Sequence, residues 1–339
     1  MTSHPLKRAF RRLRNRINKR LVQLQNEVLR NERVWGRPFQ LTLEPTNVCN
    51  LSCPLCPTPT REARLPRGML RHDDACRILD RFPYTVQLIL SNWGEPFLNK
   101  EIFKIIRSAK ERDVSVQLES NLTLFDEQRG RALVESGLDT LVVALDGASQ
   151  ETYERYRVGG RIDDVLRNVR LLRRLQDERG DRRTELRWKF VVNRFNEHEI
   201  ETARAMAAEL GMTFQLVTIW TPPQLRDEWL PKTAPSTNDR DERGGPPRCH
   251  HLWQAVSVNF NGDVFPCCSE FSPEDRLVNA LEDEFTPQWN SDELRARRRL
   301  NKGALDCSRC HRDKDTNWHK TWIGEGEPNE PFREPRNEL

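Results

Sequence analysis

This sequence has no hydrophobic run long enough to cross a membrane and no recognisable export signal. Nowhere in its 339 residues do apolar side chains approach the ~20 consecutive positions of a membrane-spanning helix. The N-terminus has no apolar core region, which a secretory signal peptide would need. Internal repeats and low-complexity tracts are also missing. The net charge of only +4 argues against a chain that binds a polyelectrolyte, so we expect no nucleic-acid partner.

The first 39 residues are basic and have helical periodicity. Between Lys7 and Arg20 there are eight basic side chains, and no acidic residue precedes Glu27. Apolar residues recur every three or four positions, as in one stripe of an amphipathic helix: Phe10, Leu13, Ile17, Leu21, Leu24 and Val28. Two interpretations follow. Either the helix makes a peripheral contact with the anionic inner face of a membrane, or it packs on the rest of the protein and leaves a basic face in solvent.

From residue 40 onward, strand-like and helix-like stretches alternate. Short apolar stretches predict strands at 40–43, 85–90, 114–119, 140–145, 186–192 and 213–219. Amphipathic stretches predict helices that include 100–112, 126–136, 162–177 and 197–210, and Gly137 and Gly211 stand where helix C-caps belong. Six βα units predict an α/β fold with a parallel sheet, and six is consistent with a partial TIM-like barrel. Chemistry in such folds lies at the carboxyl ends of the strands.

Composition divides the chain after the last predicted strand. Eight Pro and Gly residues fall among many charges in 221–248, which predicts a linker or a loop across the barrel mouth. We therefore expect a basic helix in 1–39, the barrel in 40–220, a small second module in 249–322 and a polar tail in 323–339.

Three cysteines, Cys49, Cys53 and Cys56, follow the first predicted strand with the spacing C-x3-C-x2-C. Soft thiolates favour an iron–sulfur cluster or zinc. A four-iron cluster takes a ligand on each iron, so three thiolates leave one iron open to a small molecule. Zinc normally takes four ligands, and no further Cys or His occurs before His72 and Cys76. Cysteines that only pack are the remaining alternative.

This spacing resembles the signature of the radical S-adenosylmethionine (SAM) enzymes. The resemblance implies a 4Fe–4S cluster on the three cysteines within a (β/α)6 partial barrel. It implies that SAM chelates the open iron, and that reduction cleaves SAM to a 5′-deoxyadenosyl radical that abstracts a substrate hydrogen. A flavodoxin or ferredoxin is the implied reductase, and such low-potential chemistry implies a reducing cytoplasm. Leu55 departs from the family, which usually has an aromatic residue before the third cysteine.

Further residues at the predicted strand ends match the family's SAM-binding elements. Gly94, Glu95 and Pro96 follow the second strand, where a glycine-rich segment of the family holds the SAM amine. Asn121 follows the third strand, where it matches a residue that touches SAM or serves as a turn cap. Asn193, after the fifth strand, is a further implied SAM contact.

Asp146 ends the fourth strand and matches an acidic position of the family's peptide- and sugar-modifying branch. The resemblance makes it a ligand of the SAM ribose or a substrate-facing catalytic acid/base. An N-cap for the helix that starts near Ser149 is the alternative. Arg157 matches the same branch and either binds a substrate carboxylate or pairs with a neighbouring acid on the surface.

A second cysteine set lies in the C-terminal part. Residues 251–265 alternate like a hairpin around Gly262, which would bring Cys249 and Cys267 together before a later C-x2-C pair. Four thiolates complete a four-iron cluster or a zinc tetrahedron. The spacing is similar to the SPASM auxiliary-cluster module in its shortened twitch form. That similarity implies one auxiliary 4Fe–4S cluster, hence two clusters in all, with Cys268 as an alternative to Cys267. The implied ligands are Cys249, Cys267, Cys307 and Cys310.

Three functions remain open at this point. The first is a radical SAM oxidoreductase that acts on a small polar substrate, a sugar, cyclitol or lipid-linked sugar, with the auxiliary cluster accepting an electron. Aminocyclitol dehydrogenases have a similar twitch spacing. The second is a maturase that crosslinks, epimerises or oxidises a ribosomal peptide, although 39 residues before the first strand are too short for the leader-binding domain of many such enzymes. The third, a plain electron-transfer protein, is disfavoured by the three-cysteine set.

Overall fold

The computed structural model describes residues 5–29, 31–60, 66–219, 221, 225–233, 251–268 and 273–302. Within these ranges the helices are α1 Pro5–Leu24, α2 Pro57–Thr60, α3 His72–Arg81, α4 Ile102–Glu111, α5 Glu127–Ser136, α6 Gln150–Tyr156, α7 Ile162–Arg179, α8 Ile200–Glu209, α9 Arg226–Trp229, α10 His251–Gln254 and α11 Asp292–Lys302. The strands are β1 Gln40–Leu43, β2 Gln87–Leu90, β3 Ser115–Ser120, β4 Thr140–Ala144, β5 Glu185–Val192, β6 Thr213–Thr218, β7 Ala255–Val258, β8 Asp263–Phe265 and β9 Val278–Asn279.

The described strands form one sheet, in the order β6-β5-β4-β3-β2-β1-β7-β8-β9. Strands β1 to β6 are parallel, and neighbours in the sequence are also neighbours in the sheet. Helices connect these strands, because parallel neighbours need a crossover. This is the α/β architecture of a partial TIM-like barrel, as the sequence predicted.

The predicted elements lie close to where the sequence pattern put them. Strand β1 coincides with the predicted 40–43, and β2 begins two residues later than predicted. Gly137 and Gly211 adopt positive φ angles of 78° and 64°. Such left-handed residues end helices without the steric penalty of a Cβ atom.

The two faces of the sheet differ in polarity. Leu41 and Leu43 of β1 are fully buried in the main apolar core, which includes the helices. Thr42 lies between them and faces the opposite side, because side chains alternate along a strand. Through the strand register, Gln117 of β3 and Ser257 of β7 lie in the same row as Thr42. The inner face of the sheet, the side of Thr42, Gln117 and Ser257, therefore carries polar side chains among apolar ones such as Ile89 of the same row.

The C-terminal strands continue the barrel sheet. Strand β7 pairs in parallel with β1, and β8 and β9 follow as antiparallel strands. Gly262, with φ of 91°, forms the predicted turn between β7 and β8. The predicted strand-like alternation is wrong for residues 251–254, which form α10. Both Leu252 and Trp253 of this helical turn are buried in the core, which a strand with alternating sides would not allow.

Helix α1 packs on the barrel, but through its polar side. Arg8, Arg11 and Arg12 each place a guanidinium nitrogen 2.5–2.7 Å from the carboxylate of Asp113, in the turn before β3. The predicted apolar stripe forms on the opposite side and is largely exposed. The expected packing of the helix on the rest of the protein is confirmed, and basic side chains such as Arg16 remain exposed. The packed side is the polar one, because the arginines find a carboxylate on the barrel.

Candidate active site

The loop after β1 carries three cysteines at the carboxyl edge of the sheet. Cys53 is buried, Cys49 and Cys56 are half-buried, and all three are free thiols. The N–H of Cys56 donates to the carbonyl of Cys53 at 3.1 Å, which turns the loop back on itself. Desolvation raises the pKa of each thiol, to about 11 for Cys56. Thiolates at this position therefore need a cationic centre to compensate their charge.

The donor chemistry at these sulfur atoms fits an iron–sulfur cluster, although among the described residues no three Cys, His, Asp or Glu side chains lie close enough together to hold a single metal ion. The donors are three soft sulfurs from one loop, which is what a four-iron cluster with one open iron takes. N–H groups also approach the sulfurs: Leu51 N is 3.5 Å and Asn121 Nδ2 is 3.9 Å from Cys49 Sγ, and Arg157 Nη1 is 3.7 Å from Cys53 Sγ. Donors of this kind near the sulfurs are one of the factors that set a cluster's reduction potential.

Gly94 lets the segment after β2 cross directly against the cysteine loop. A Cβ atom at this position would lie 2.1 Å from the carbonyl oxygen of Thr46 and 2.9 Å from that of Val48. The N–H of Glu95 then donates to the Val48 carbonyl at 2.9 Å. Pro96 starts a short 3-10 turn, Pro96–Leu98. The predicted Gly94-Glu95-Pro96 element thus lies beside the cysteine loop, where only glycine permits the approach.

Glu95 is fully buried and accepts hydrogen bonds from three groups of this chain. The donors are the N–H of Phe97 at 3.0 Å, the hydroxyl of Ser120 at 2.8 Å and the N–H of Asn121 at 2.8 Å. Burial raises the pKa of Glu95, and these donors offset part of the rise. A carboxylate has about four acceptor positions, so one remains for a further donor. In this chain Glu95 joins the end of β2 to the end of β3.

Asn121 has contacts that fit both of its predicted roles. Its Oδ1 accepts from the N–H of Thr123 at 3.0 Å, which is a turn cap. Its Nδ2 donates to Asn50 Oδ1 at 3.1 Å and points toward Cys49 Sγ. Since the N–H of Asn121 is bonded to Glu95, the side chain is held against the cysteine loop.

Asp146 forms a buried ion pair with Arg157. Its Oδ2 lies 2.5 Å from Arg157 Nε, and its Oδ1 accepts from the N–H of Val191 at 2.6 Å. Burial alone would lower the pKa of Arg157, but the negative charges of Asp146 and Cys53 raise it well above its usual value. Ser149 itself caps α6, so the N-cap alternative for Asp146 is wrong. Arg157 does pair with a neighbouring acid, but the pair is buried and not on the surface as predicted, because Asp146 is completely enclosed.

Asn193 lies in the turn after β5, and the hydrogen bonds described below connect it to this turn and not to the cysteine sulfurs. Its Oδ1 accepts from the N–H of Phe195 at 2.9 Å, and its own N–H donates to Asn196 Oδ1 at 2.7 Å. Asn196 in turn donates to the backbone carbonyl of Asp146 at 3.0 Å. The turn therefore supports the strand end that carries Asp146, and the predicted SAM contact of Asn193 stays a prediction.

Leu55 belongs to a small apolar cluster at the barrel mouth. It packs with Ile219 and with Trp229 of α9. The ring of Trp229 also meets that of Tyr156 edge-on, with 5.8 Å between centroids. Part of the predicted linker, residues 225–233, therefore lies next to the cysteine loop, in agreement with a segment at the mouth.

The sequence reasoning missed a charged pair on the inner face of the sheet. Lys189 of β5 donates to Glu119 of β3 at 2.7 Å, across the intervening strand β4. Glu119 also approaches the hydroxyl of Ser91 at 3.4 Å and Gln117 Nε2 at 3.2 Å. The available signal was the charged residues at every second position of β5, Glu185, Arg187 and Lys189, which indicate a polar side of that strand.

Glu44, at the end of β1, was also missed. It is completely buried, and its Oε2 accepts from the N–H of Phe260 at 3.3 Å. The other carboxylate oxygen has no hydrogen-bond partner among the described residues. Desolvation raises the pKa of Glu44 to about 7, although hydrogen bonds from the N–H groups of Phe260 and Trp93 lower it in part. This carboxyl group therefore titrates near neutral pH between the segment after β2 and the β7–β8 hairpin.

The second cysteine set is described only at Cys267 and Cys268, which follow β8 and form no disulfide. With the Asn92 amide oriented so that both of its polar groups are satisfied, it donates to the carbonyl of Cys268 at 3.2 Å and accepts from the Trp93 indole at 3.1 Å. This contact holds the region of Cys267 against the segment that carries Gly94. The other predicted ligands lie outside the described residues: Cys249, Cys307 and Cys310.

Two family models match the chain. The radical SAM superfamily model matches residues 43–181, and the model of an iron–sulfur cluster-binding domain, SPASM, matches residues 249–311. GTP 3′,8-cyclase from Synechococcus sp. (strain CC9605) is 29% identical over 197 residues, which cover 52% of this chain and 55% of the cyclase. AdoMet-dependent heme synthase from Methanosarcina barkeri (strain Fusaro) is 28% identical over 194 residues, or 56% and 53% of the two chains. The chain thus spans about half the length of these curated relatives.

Solved structures are similar in fold. Streptococcus suis SuiB bound to S-adenosylmethionine matches with a TM-score of 0.61 and 17% identity over 77% of this chain and 67% of SuiB. SuiB bound to its precursor peptide SuiA matches with a TM-score of 0.61 and 16% identity over 77% and 66%. The cysteine loop, the glycine approach beside it, the barrel sheet and both family matches agree, and the chain belongs to the radical SAM superfamily and carries a SPASM-type iron–sulfur domain.

Proposed function

We propose that this radical SAM enzyme oxidises a small polar substrate in a dehydrogenase-type reaction and uses two 4Fe–4S clusters. When bound, SAM on its cluster supplies a 5′-deoxyadenosyl radical that takes a hydrogen atom, and an auxiliary cluster supplies an acceptor for the remaining electron. A sugar or cyclitol suits this reaction, because a carbon that bears a hydroxyl can lose a hydrogen atom, a proton and an electron to become a carbonyl.

We infer the substrate class from the ion pair between Glu119 and Lys189. The two side chains are only 11% and 19% exposed, and they lie on the inner face of the sheet whose first strand, β1, leads to the cysteine loop. Such a pair can bind hydroxyl and amino groups of a substrate, whereas an apolar substrate would desolvate both charges without compensation. The GTP cyclase, a relative by sequence, acts according to its name on another small polar molecule, which also supports this class.

For SAM, we propose that Cys49, Cys53 and Cys56 hold its cluster and that Gly94 to Pro96 form the adjoining wall. Three of the acceptor positions of Glu95 are bonded within the chain, and the fourth is available to the SAM ammonium. Asn121 is held toward Cys49 and has an amide that can reach a carboxylate or a ribose hydroxyl.

For the proton, we propose Glu119 as the acceptor in place of Asp146. Asp146 is completely buried and already bonded to Arg157 and to the N–H of Val191. Both of its carboxylate oxygens are therefore occupied and closed off from solvent, whereas a general base must come within hydrogen-bond distance of the substrate proton. Glu119 faces the inner side of the sheet, with Lys189 beside it. Asp146 would then be a positioning residue that holds Arg157 near Cys53.

For the electron, we propose that an auxiliary 4Fe–4S cluster is bound by Cys249, Cys267, Cys307 and Cys310, with Cys268 as the alternative to Cys267. The contact of Asn92 with Cys268 supports a position beside the barrel mouth. A flavodoxin or ferredoxin is the proposed reductase. Four sulfur ligands would close this cluster, so it would transfer electrons and bind no substrate.

Anaerobic reconstitution with iron and sulfide tests the proposal. We expect about eight irons per chain, as two four-iron clusters require, and 5′-deoxyadenosine after reduction with SAM. Aminocyclitols and sugars deuterated at the hydroxyl-bearing carbons should transfer deuterium to 5′-deoxyadenosine. Iron near four per chain would contradict the auxiliary cluster, and no 5′-deoxyadenosine under reducing conditions would contradict the reaction itself.

The variant Glu119→Gln separates the proposed base from the cluster chemistry. It should retain SAM cleavage without substrate and lose substrate oxidation by about 100-fold, the usual range for a general base. Glu127→Gln is the matched control, since Glu127 forms an exposed ion pair with Arg131 on α5. Equal substrate oxidation in both variants would refute the role of Glu119.

A second candidate function is the modification of a ribosomal peptide, by crosslinking, epimerisation or oxidation. The similarity in fold to SuiB, which is solved with its precursor peptide, favours it. Deuterium transfer to 5′-deoxyadenosine from a labelled peptide, and none from labelled sugars or cyclitols, would select this function.

A further inference from the structure

Helix α1 presents a row of apolar side chains to solvent in the part of the chain that the structure describes. Phe10 is 70% and Ile17 is 59% exposed, which is unusual for large apolar residues on one helix face. The row comprises Leu6, Phe10, Leu13, Ile17 and Leu24. Their spacing of three, four and seven residues keeps them on one side of the helix. A contiguous exposed row of this kind marks an interaction surface. We call these five residues the α1 stripe.

The opposite side of α1 is fixed to the barrel by polar contacts. Asn18 accepts from the N–H of Arg37 at 2.8 Å and donates to its carbonyl at 2.9 Å. Asn15 donates to the carbonyl of Pro83 at 3.3 Å, and both asparagines are buried. Together with the arginine contacts to Asp113, these bonds set the rotation of the helix. The α1 stripe is therefore directed outward by the fold.

Basic residues border the α1 stripe. Arg16 and Arg20 lie on one flank and Lys7 on the other, and all three are exposed. No acidic residue occurs in the sequence before Glu27. Long basic side chains beside an apolar row can bury their methylene groups and still extend their charges to phosphate headgroups. The stripe and its border thus have the chemistry of a helix that lies in the surface of an anionic bilayer.

We propose that the α1 stripe docks into the surface of an anionic lipid membrane and attaches the enzyme to it as a peripheral protein. A second copy of the chain fits less well, because stripe-to-stripe pairing would bring Arg16 and Arg20 of one copy toward the basic border of the other. No helix in the described ranges is long and apolar enough to span a bilayer. The attachment is therefore a surface contact.

The position of α1 determines which end of the barrel would face the membrane. Pro83 and Asp113, its contact points, precede β2 and β3, and so lie at the amino ends of the strands. The cysteine loop lies at the opposite, carboxyl ends of the strands. A membrane-bound enzyme would therefore turn its active site toward the aqueous phase. This geometry favours a water-soluble substrate over a lipid-linked sugar.

Vesicle flotation with the full-length, anaerobically reconstituted enzyme tests the inference. The probes are vesicles of phosphatidylcholine alone and of phosphatidylcholine mixed with phosphatidylglycerol. We expect flotation with the anionic vesicles, little with the neutral ones, and weaker flotation as salt increases. The variant Phe10→Glu/Ile17→Glu should bind at least about tenfold less, because two large apolar groups lose their burial.

The matched control is Thr202→Glu/Ala205→Glu, which adds the same charge to exposed positions of α8 and should bind like the native enzyme. Circular dichroism and iron content should be equal in all three proteins. Failure to float with anionic vesicles overturns the proposal, as does equal binding by both variants. If light scattering instead shows a native dimer that Phe10→Glu/Ile17→Glu dissociates, a second copy occupies the stripe. An unchanged monomer without vesicle binding would assign the stripe to another partner or to the chain's own residues.

Discussion

Replacing Glu44 by glutamine should change how the stability of this enzyme depends on pH. Glu44 is completely buried at the end of β1, and burial raises its pKa from the ordinary 4.5 to about 7. The folded protein therefore keeps this proton up to about pH 7, whereas the unfolded chain releases it near pH 4.5. Stability that is present below pH 4.5 is lost as the pH rises toward 7, because ionisation is then easier in the unfolded chain.

The size of this effect follows from the pKa difference. One pKa unit is worth about 1.36 kcal/mol, so the difference corresponds to roughly 3 kcal/mol of unfolding free energy. The amide introduced by Glu44→Gln stays neutral at every pH and keeps an oxygen that can accept from the N–H of Phe260. The variant should therefore match the native enzyme below pH 4.5, apart from a constant offset, and gain roughly 3 kcal/mol on it above pH 7.

Anaerobic urea unfolding of the reconstituted enzyme at pH 5, 6, 7 and 8 measures the difference. Glu209→Gln, at an exposed position of α8, is the control and should follow the native curve. A Glu44→Gln curve parallel to the native one across this range would refute the reasoning, since it would mean that Glu44 ionises at the same pH in both states.

Three further predictions concern the cysteine loop and α1. The variant Gly94→Ala would place a Cβ atom 2.1 Å from the Thr46 carbonyl oxygen and should displace the segment from the cysteine loop. Iron analysis should then give about four irons per chain, and full iron with normal SAM binding would contradict this prediction. Asp146→Asn should destabilise the enzyme by about 3 kcal/mol in thermal unfolding, because it leaves a buried guanidinium uncompensated, and Arg157→Met added to it should restore part of the loss. Burial raises the pKa of Asp113, but hydrogen bonds from three half-exposed or exposed arginines outweigh it and hold the pKa well below its usual range. Its stabilising effect is thus present at neutral pH and lost in acid. Asp113→Asn should cost only roughly 1 kcal/mol at pH 7 and speed proteolysis within residues 1–39; unchanged cleavage would argue against the contact.

Much of the fold and of the first cysteine site could be predicted from short stretches of sequence. Strand β1 and the helix end at Gly137 depend on residues within a few positions of each other, and the structure agrees with both. Cys49, Cys53 and Cys56 likewise lie in one loop after β1, as their spacing predicts, and their role as cluster ligands stays a prediction. Local patterns of this kind are reliable because strand alternation, helix capping and loop closure involve near neighbours in the chain.

Contacts between distant residues could not be predicted in this way. Glu119 and Lys189 are 70 residues apart and meet across β4, and β7 pairs with β1 although more than 200 residues separate them. The ion pair of Asp146 with Arg157 likewise depends on the fold that brings the two side chains together. The sequence identified α1 as amphipathic but not which side is buried, since either face could dock. The contacts with Asp113 determine that the polar face of α1 is the one that docks. The strength of a charge contact and the cost of desolvating its partners depend on distances in space, and the order of residues along the chain does not contain these distances.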